Sequence, residues 1–415
     1  MRYWHLIRRH EHTIVPWMLG LGLMLFGTHS KWLQWDDNVI FLPWIGVILI
    51  ILAVNWAIRV ETFSFNWRPL WITIPIGIIL FAMMMRLAIE RTMESFAGVA
   101  FILAFISVYI MARHYGKKIL FLIVWFTAIE ALSVFGYVLF VGSWHTEDMT
   151  TGGMVSGTNY DVAIGIMGIG LGAGLFVIQS HKRLIAYSSL VVAAMFLTGS
   201  PEALVVIGCL MVYVALYHRH EAWRILDDNR KLISTIGASL IVFIAFWAVI
   251  GGMNQTVHRI SEMTHNTVDA MTVESFEEAP DYGDGRFPAY ERALTSITPF
   301  GHGFSLFHYR VDHNGAPVDS MDAPYEGIIA HNVPLVIVEQ IGLFGAIAWV
   351  AVSIYCFMIG SNQMRILWVI IGELCIFDHF IWTTIAPVWW AIVGLTIWEV
   401  DNEVRKGKLA HVHIH

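Results

Sequence analysis

Charge is scarce in this sequence. Asp, Glu, Lys and Arg together make up 14% of its 415 residues, against roughly 25% in soluble proteins. That is too few to solvate the surface of an ordinary soluble domain. Cysteine is scarcer still. Cys209, Cys356 and Cys375 all fall inside apolar blocks, so none is placed for an extracytoplasmic disulfide, and stability must come from helix packing. The sequence also lacks internal repeats, low-complexity stretches and any nucleotide-binding or metal motif. The first apolar block, from about Thr13 to Gly27, follows Arg8-Arg9 without a small-x-small cleavage site, so it reads as a retained helix rather than a cleaved signal peptide.

What the chain has in abundance is apolar length. It is 57% hydrophobic, with a mean hydropathy of +0.63. A bilayer core about 30 Å thick is crossed by roughly 20 apolar residues in a helix. Blocks of that kind recur at 13–29, 38–58, 69–85, 95–112, 119–141, 160–180, 184–199, 202–217, 232–251, 333–359, 366–382 and 387–399. The fold class expected is therefore an all-α polytopic membrane protein of about 12 spans.

The basic residues supply an internal check. Alternate connections hold Arg2, Arg8, Arg9, Arg59, Arg68, Arg113, Lys117, Lys118, Lys182, Arg183, Arg219, Arg224, Arg230, Lys231, Arg365, Arg405, Lys406 and Lys408, which is 18 of the 25 Lys and Arg. The other connections hold only Lys31, Arg86, Arg91, Arg259, Arg286, Arg292 and Arg310. By the positive-inside rule both termini lie in the cytoplasm. The organisation expected is helices one to nine over 1–251, an outward loop over 252–332, helices ten to twelve over 333–399, and a cytoplasmic tail over 400–415.

Among the outward connections, Gly142 to Thr158 is a modest Gly/Thr/Ser-rich loop, whereas Gly252 to Ala330 is long and acidic, with twelve Asp/Glu against four Lys/Arg. A compact bundle does not need such a loop for stability, and long loops are usually functional. Its acidity argues against a nucleic-acid partner. The stretch up to about Asp284 has little apolar periodicity and reads as a solvated segment. From Arg286 onward, Phe287, Tyr290, Leu294 and Ile297 recur at helical spacing, with Pro288 tolerable in a first turn. This predicts a short amphipathic helix lying on the membrane-embedded body, with Arg286 near its apolar stripe and Arg292 pointing away. An arginine there suits a phosphate, and equally suits a snorkelling or ion-paired interfacial role.

Two further features follow. In Pro299-Phe300-Gly301-His302-Gly303, the glycines make a tight turn that either brings backbone N–H groups close to a ligand or is simply a turn. At Ala330-His331-Asn332-Val333-Pro334 the chain re-enters the apolar blocks, with Asn332 as N-cap and Pro334 in the first turn. His331 then sits at the mouth of the bundle beside a helix N-terminus, as general base, phosphate donor or structural histidine. Beyond it, Glu339, Gly342 and Ala346 share one helical face at i, i+3, i+7, so a neighbouring helix should approach closely there. Glu339 is an intramembrane carboxylate and a functional candidate on that ground.

These residues resemble the O-antigen ligase and O-antigen polymerase superfamily of bacterial membrane proteins. The ligase motif is His-Asn/Ser/Gln, nine residues, Gly, two residues, then Gly, Thr or Tyr; His331-Asn332 and Gly342-Leu343-Phe344-Gly345 fit every position. The upstream family pattern, an arginine opening a short helix and then Pro-x-x-Gly-x-Gly, is similar to Arg286 onward and Pro299 to Gly303, with the first glycine one residue early. The large loop after the ninth of twelve spans agrees with the family plan. One departure stands out. At the link between helices seven and eight the family has Ser-Arg, and here Ser200-Pro201-Glu202 puts proline in place of the arginine and adds a negative charge. Either Arg86, Arg91 or Arg310 substitutes for it, or the donor differs, or activity is lost.

The resemblance implies a metal-independent, inverting glycosyltransferase without a cofactor, acting at the periplasmic face of the bacterial inner membrane. Its donor is a glycan on undecaprenyl diphosphate, and its acceptor is a second glycan, lipid A core or a protein side chain. Carried over, Arg286 holds the diphosphate leaving group and His331 orients or deprotonates the acceptor hydroxyl; Asn332, Arg292, Gly301, Gly303 and Arg310 are the substrate-binding candidates. The loop histidines His258, His265, His302, His308 and His313 match no zinc spacing. Rival readings are a polymerase of the same superfamily, an inactive scaffold, or a secondary transporter using Glu130, Glu373, Asp378 and His379 as a proton relay, although the chain lacks the two similar halves common in transporters.

Overall fold

The computed structural model describes residues 14–23, 25, 41–60, 70–90, 93–138, 160–198, 202–217, 219–249, 290, 293–295, 297–301, 332–377, 382 and 386–405. The secondary structure in these residues is helical throughout, as the apolar blocks require. In chain order the helices are α1 (Ile14–Leu23), α2 (Phe41–Val60), α3 (Leu70–Glu90), α4 (Met93–Tyr115), α5 (Lys117–Gly136), α6 (Tyr160–Val177), α7 (His181–Leu197), α8 (Glu202–Tyr217), α9 (Arg219–Asp228), α10 (Arg230–Val249), α11 (Val333–Ile359), α12 (Asn362–Phe377) and α13 (Ala386–Arg405). By length and composition α5 and α11 are apolar enough to cross a membrane.

A helix lies in each of the twelve apolar blocks, and α9 is additional. It falls in the Arg/Asp-rich connection after α8, whose sequence RHEAWRILDD alternates charged and apolar residues at helical spacing. Several boundaries differ from the sequence reading. The connection between α4 and α5 is the single residue Gly116, at φ 59°, where an added Cβ would sit 2.2 Å from Trp398 Cε2. Only glycine adopts that conformation and leaves that space. Helix α12 is described over Asn362–Phe377, and Trp382 is a turn residue outside it. Helix α13 continues to Arg405 rather than stopping at 399; Asp401 on its last turns bonds Arg113 of α4 at 3.0 Å, which holds this polar end against the bundle.

Small residues set the packing. Gly394 of α13 brings that helix onto α4, with an added Cβ only 2.4 Å from the Tyr109 carbonyl oxygen. Gly170 of α6 meets Thr127 of α5 just as closely, and the Thr127 hydroxyl donates to the Ile166 carbonyl at 3.2 Å. Close approach through glycine and hydroxyl-to-carbonyl bonding is the packing mode of helices that have no water to expel. The core is aromatic on the α13 side: Trp389 and Trp390 are fully buried, and Trp389 stacks on Trp349 of α11 at 5.6 Å.

The outer surface is equally apolar. On α3, Trp71, Ile74, Ile78, Phe81 and Met85 fall on one face and all are exposed. On α11, Leu343, Phe344, Ile347, Ile354 and Met358 are likewise exposed. Soluble proteins rarely present contiguous apolar faces of that extent, whereas a lipid-facing surface requires them. Carboxylates are placed the other way round, with Glu130, Glu339 and Glu373 buried, as intramembrane ionisable groups are.

Candidate functional site

The candidate site is built around α11, whose N-terminus closes the long loop. Asn332 is extended (φ −159°, ψ 116°) and its side chain accepts from the Leu335 N–H at 3.2 Å, so it caps the helix as its sequence position predicts. The same side chain also donates from Nδ2 to the Ile376 carbonyl at 3.1 Å. Ile376 lies on α12. One amide thus takes a first-turn donor of α11 and bonds a carbonyl of α12. Pro334 has no N–H and Asn332 takes that of Leu335, so few first-turn donors remain for an anion.

Ten residues on, α11 breaks. The sequence reads as a continuous helix over 333–359, but Gly342 is non-helical at φ 79° and ψ −179°. What approaches it is also different from the expectation. The atoms nearest an added Cβ are the Gly301 and Phe300 amide nitrogens and the Pro299 carbonyl oxygen, at 2.3, 2.4 and 2.4 Å. A segment of the loop, rather than a neighbouring helix, uses the space. The break therefore also divides the face that Glu339, Gly342 and Ala346 would have shared.

The loop segment is tied to the break by its backbone. The N–H of Leu343 donates to the Thr298 carbonyl at 2.9 Å, and that of Phe344 to the Pro299 carbonyl at 3.4 Å. In an unbroken helix these donors would bond four residues back. Gly301 is buried at φ 73°, and an added Cβ there would lie 2.4 Å from the Gln340 carbonyl oxygen. The rings of Phe300 and Phe344 flank the junction at 5.8 Å. The close approach that Gly301 makes is thus to α11 itself.

A second tie lies just before the break. Gln340 is 2% exposed, and its Oε1 accepts from the Trp382 indole N–H at 2.7 Å. Trp382 belongs to the connection between α12 and α13. Neither partner was singled out from sequence, although a glutamine inside an apolar block is a signal that a partner must be found for it. Glu339, beside it, is 1% exposed.

Upstream, Tyr290 and Ala293–Thr295 are helical, as the periodicity predicts. The expected stripe divides, however. Tyr290 packs against the core and Ala293 is wholly buried, while Leu294 and Ile297 are exposed. The buried side of this segment therefore runs through Tyr290 and Ala293, and the larger aliphatic side chains face outward. His331, Arg286, Arg292, Gly303 and Arg310 lie outside the described residues, as do Asp378, His379, Pro201 and the side chain of Glu202. Among the described residues no group of three His, Cys, Asp or Glu is gathered as a metal site.

What the described residues establish is that the two motif regions meet: the Pro299–Gly301 turn rests on the glycine that lies ten residues beyond Asn332. No curated protein matches the chain significantly. The family model of O-antigen ligase matches residues 186–350, so the stretch that runs from α7 into α11 and contains both halves of this junction is similar to that family.

Proposed function

We propose that this protein is a glycan ligase of the bacterial inner membrane, transferring a glycan from undecaprenyl diphosphate to an acceptor at the periplasmic face. The observation that carries the reading is the junction of Gly301 with Gly342. The match to the O-antigen ligase family over 186–350 favours glycan transfer as the general activity; the junction ties the loop that holds Arg286 to the helix that begins beside His331. In this reading every helix except α9 spans the bilayer, both termini are cytoplasmic, and 252–332 is the periplasmic loop.

Arg286 binds the diphosphate. The helical spacing of the sequence, at roughly 100° per residue, groups Arg286 with Tyr290 and Ala293 and sets Arg292 apart from them. A guanidinium on that side would meet the head group of a lipid carrier with paired donors and a fixed charge. His331 orients the acceptor hydroxyl or takes its proton as the hydroxyl attacks the anomeric carbon in line, and the diphosphate departs with the bonding electrons. Arg286 neutralises the charge that develops there. Positioning and charge stabilisation then supply most of the rate gain. Arg292, Gly303 and Arg310 remain substrate-side candidates in the same loop.

The acceptor separates a ligase from a polymerase. The deciding experiment is complementation of ligase-null and polymerase-null strains by the wild type, His331→Ala and Arg286→Ala. Restoration of the ligated glycan by the wild type, and by neither variant, is the expected result. Restoration of polymer length alone would make the protein a polymerase. A wild type that restores neither pattern would sink the reading, and variants as active as the wild type would overturn the site.

A further inference from the structure

We propose that docking of the Thr298–Gly301 segment and the break in α11 are one coupled event, so that Gly301 and Gly342 act as positioning residues for the transfer reaction. The inference rests on the functional reading above, and it adds a structural device that holds the two halves of the site together.

The coupling follows from where two donors go. In a straight α11 the N–H groups of Leu343 and Phe344 would bond the carbonyls of Glu339 and Gln340. In the structure they bond Thr298 and Pro299 of the loop instead. A broken helix without the loop would leave both groups unpaired in apolar surroundings, which is heavily penalised. A docked loop without the break would find both donors already taken. The stable arrangements are therefore docked and broken, or undocked and straight.

Sterics make the pair of glycines the condition for the first arrangement. An added Cβ at Gly301 would lie 2.4 Å from the Gln340 carbonyl oxygen and 2.6 Å from the Gly342 nitrogen. An added Cβ at Gly342 would lie 2.3 Å from the Gly301 nitrogen. All are backbone atoms and cannot rotate away. Both residues also hold positive φ, at 73° and 79°, which disfavours any side chain.

The consequence reaches the start of the helix. The outer half of α11, Val333 to Ile341, is a short rigid segment whose direction is set at its inner end by the break. Its outer end carries the Asn332 bond to Ile376, and Gln340 carries the bond from Trp382. Straightening α11 at Gly342 would swing this segment against both ties and move the residue that precedes Asn332 relative to the loop. Neither glycine needs to touch substrate for this to matter.

The test uses the full chain in native membranes, with Cys209, Cys356 and Cys375 replaced by Ala. A Phe300→Cys/Phe344→Cys pair is treated with a short thiol-reactive cross-linker, and transfer is measured in parallel by complementation in the otherwise native chain. The pair is expected to cross-link in high yield, and Gly301→Ala or Gly342→Ala to lower that yield about tenfold or more. Each single substitution should cut transfer to a similar extent, and the double variant should be no worse than either, because both break one event. Phe300→Ala and Phe344→Ala, at half-exposed rings whose loss spares folding, should reduce transfer in the same direction and again without adding to Gly342→Ala. Gly372→Ala, where an added Cβ meets nothing within 4 Å, should leave both readouts unchanged. Cross-linking indifferent to the glycine substitutions overturns the coupling. Losses that multiply in the double variant, or full transfer with the cross-link gone, overturn the positioning role. A wild type that transfers no glycan overturns the functional reading and the positioning role with it, while the cross-linking yield still decides the coupling.

Discussion

Asn332 bonds the backbones of two different helices with one side chain: Oδ1 accepts from Leu335 N–H at 3.2 Å and Nδ2 donates to the Ile376 carbonyl at 3.1 Å. The residue after the proposed catalytic histidine is therefore fixed by α11 and α12 together.

Substitutions at Asn332 separate its two bonds. Asn332→Ser keeps a capping oxygen and loses the reach to Ile376, whereas Asn332→Ala loses both. We expect the alanine variant to lower stability by about 1–2 kcal/mol and the serine variant by less, read as thermal unfolding of the purified protein in detergent. Transfer should follow the same order. Equal stability losses for the two would mean that the bond to Ile376 contributes nothing.

Arginine at 286 is predicted to be needed for its fork as well as its charge. Arg286→Lys keeps the charge but not the paired donors, so complementation by it should fall well below wild type while exceeding Arg286→Ala. His331→Gln, which retains a hydrogen-bonding side chain without an imidazole base, distinguishes orientation from proton transfer: residual activity above His331→Ala points to orientation. Protein amounts in the membrane should be unchanged in all of these.

Removal of one member of the buried pair Trp382–Gln340 leaves the other unsatisfied. Trp382→Phe should cost about 1–3 kcal/mol, because Gln340 Oε1 loses its 2.7 Å donor while remaining 2% exposed. The double variant Trp382→Phe/Gln340→Met should recover part of that loss. A double variant as unstable as the sum of the singles would show that the bond does not couple the two residues.

At the other end of the bundle, Gly116→Ala should destabilise without touching the proposed chemistry. Its φ of 59° and the Trp398 ring in the path of an added Cβ together predict a loss of about 2 kcal/mol or more. Gly116→Ala should therefore lower the unfolding temperature, and transfer per folded molecule should be retained. A selective loss of transfer at full stability would reveal a link between this turn and the site that nothing in the structure predicts.

The sequence by itself determined the all-α class, a helix in each of the twelve apolar blocks, the cap at Asn332 and the likeness to the O-antigen ligase family over 186–350, because hydrophobic length and local spacing are properties of contiguous residues. It also marked Gly301 and Gly342 as noteworthy, but for other reasons: the first as a turn near a ligand, the second as a place for a neighbouring helix. That the two glycines meet each other, that α11 breaks there, and that Gln340 reaches Trp382 were decided only by the tertiary structure. Each of these is a contact between segments about forty residues apart, and no periodicity within either segment encodes its partner. An apolar run from Val333 to Ile359 has the composition of a continuous helix; it breaks because a loop from elsewhere offers its Leu343 and Phe344 N–H groups a second pair of carbonyls, and glycine at 342 lets the backbone accept them.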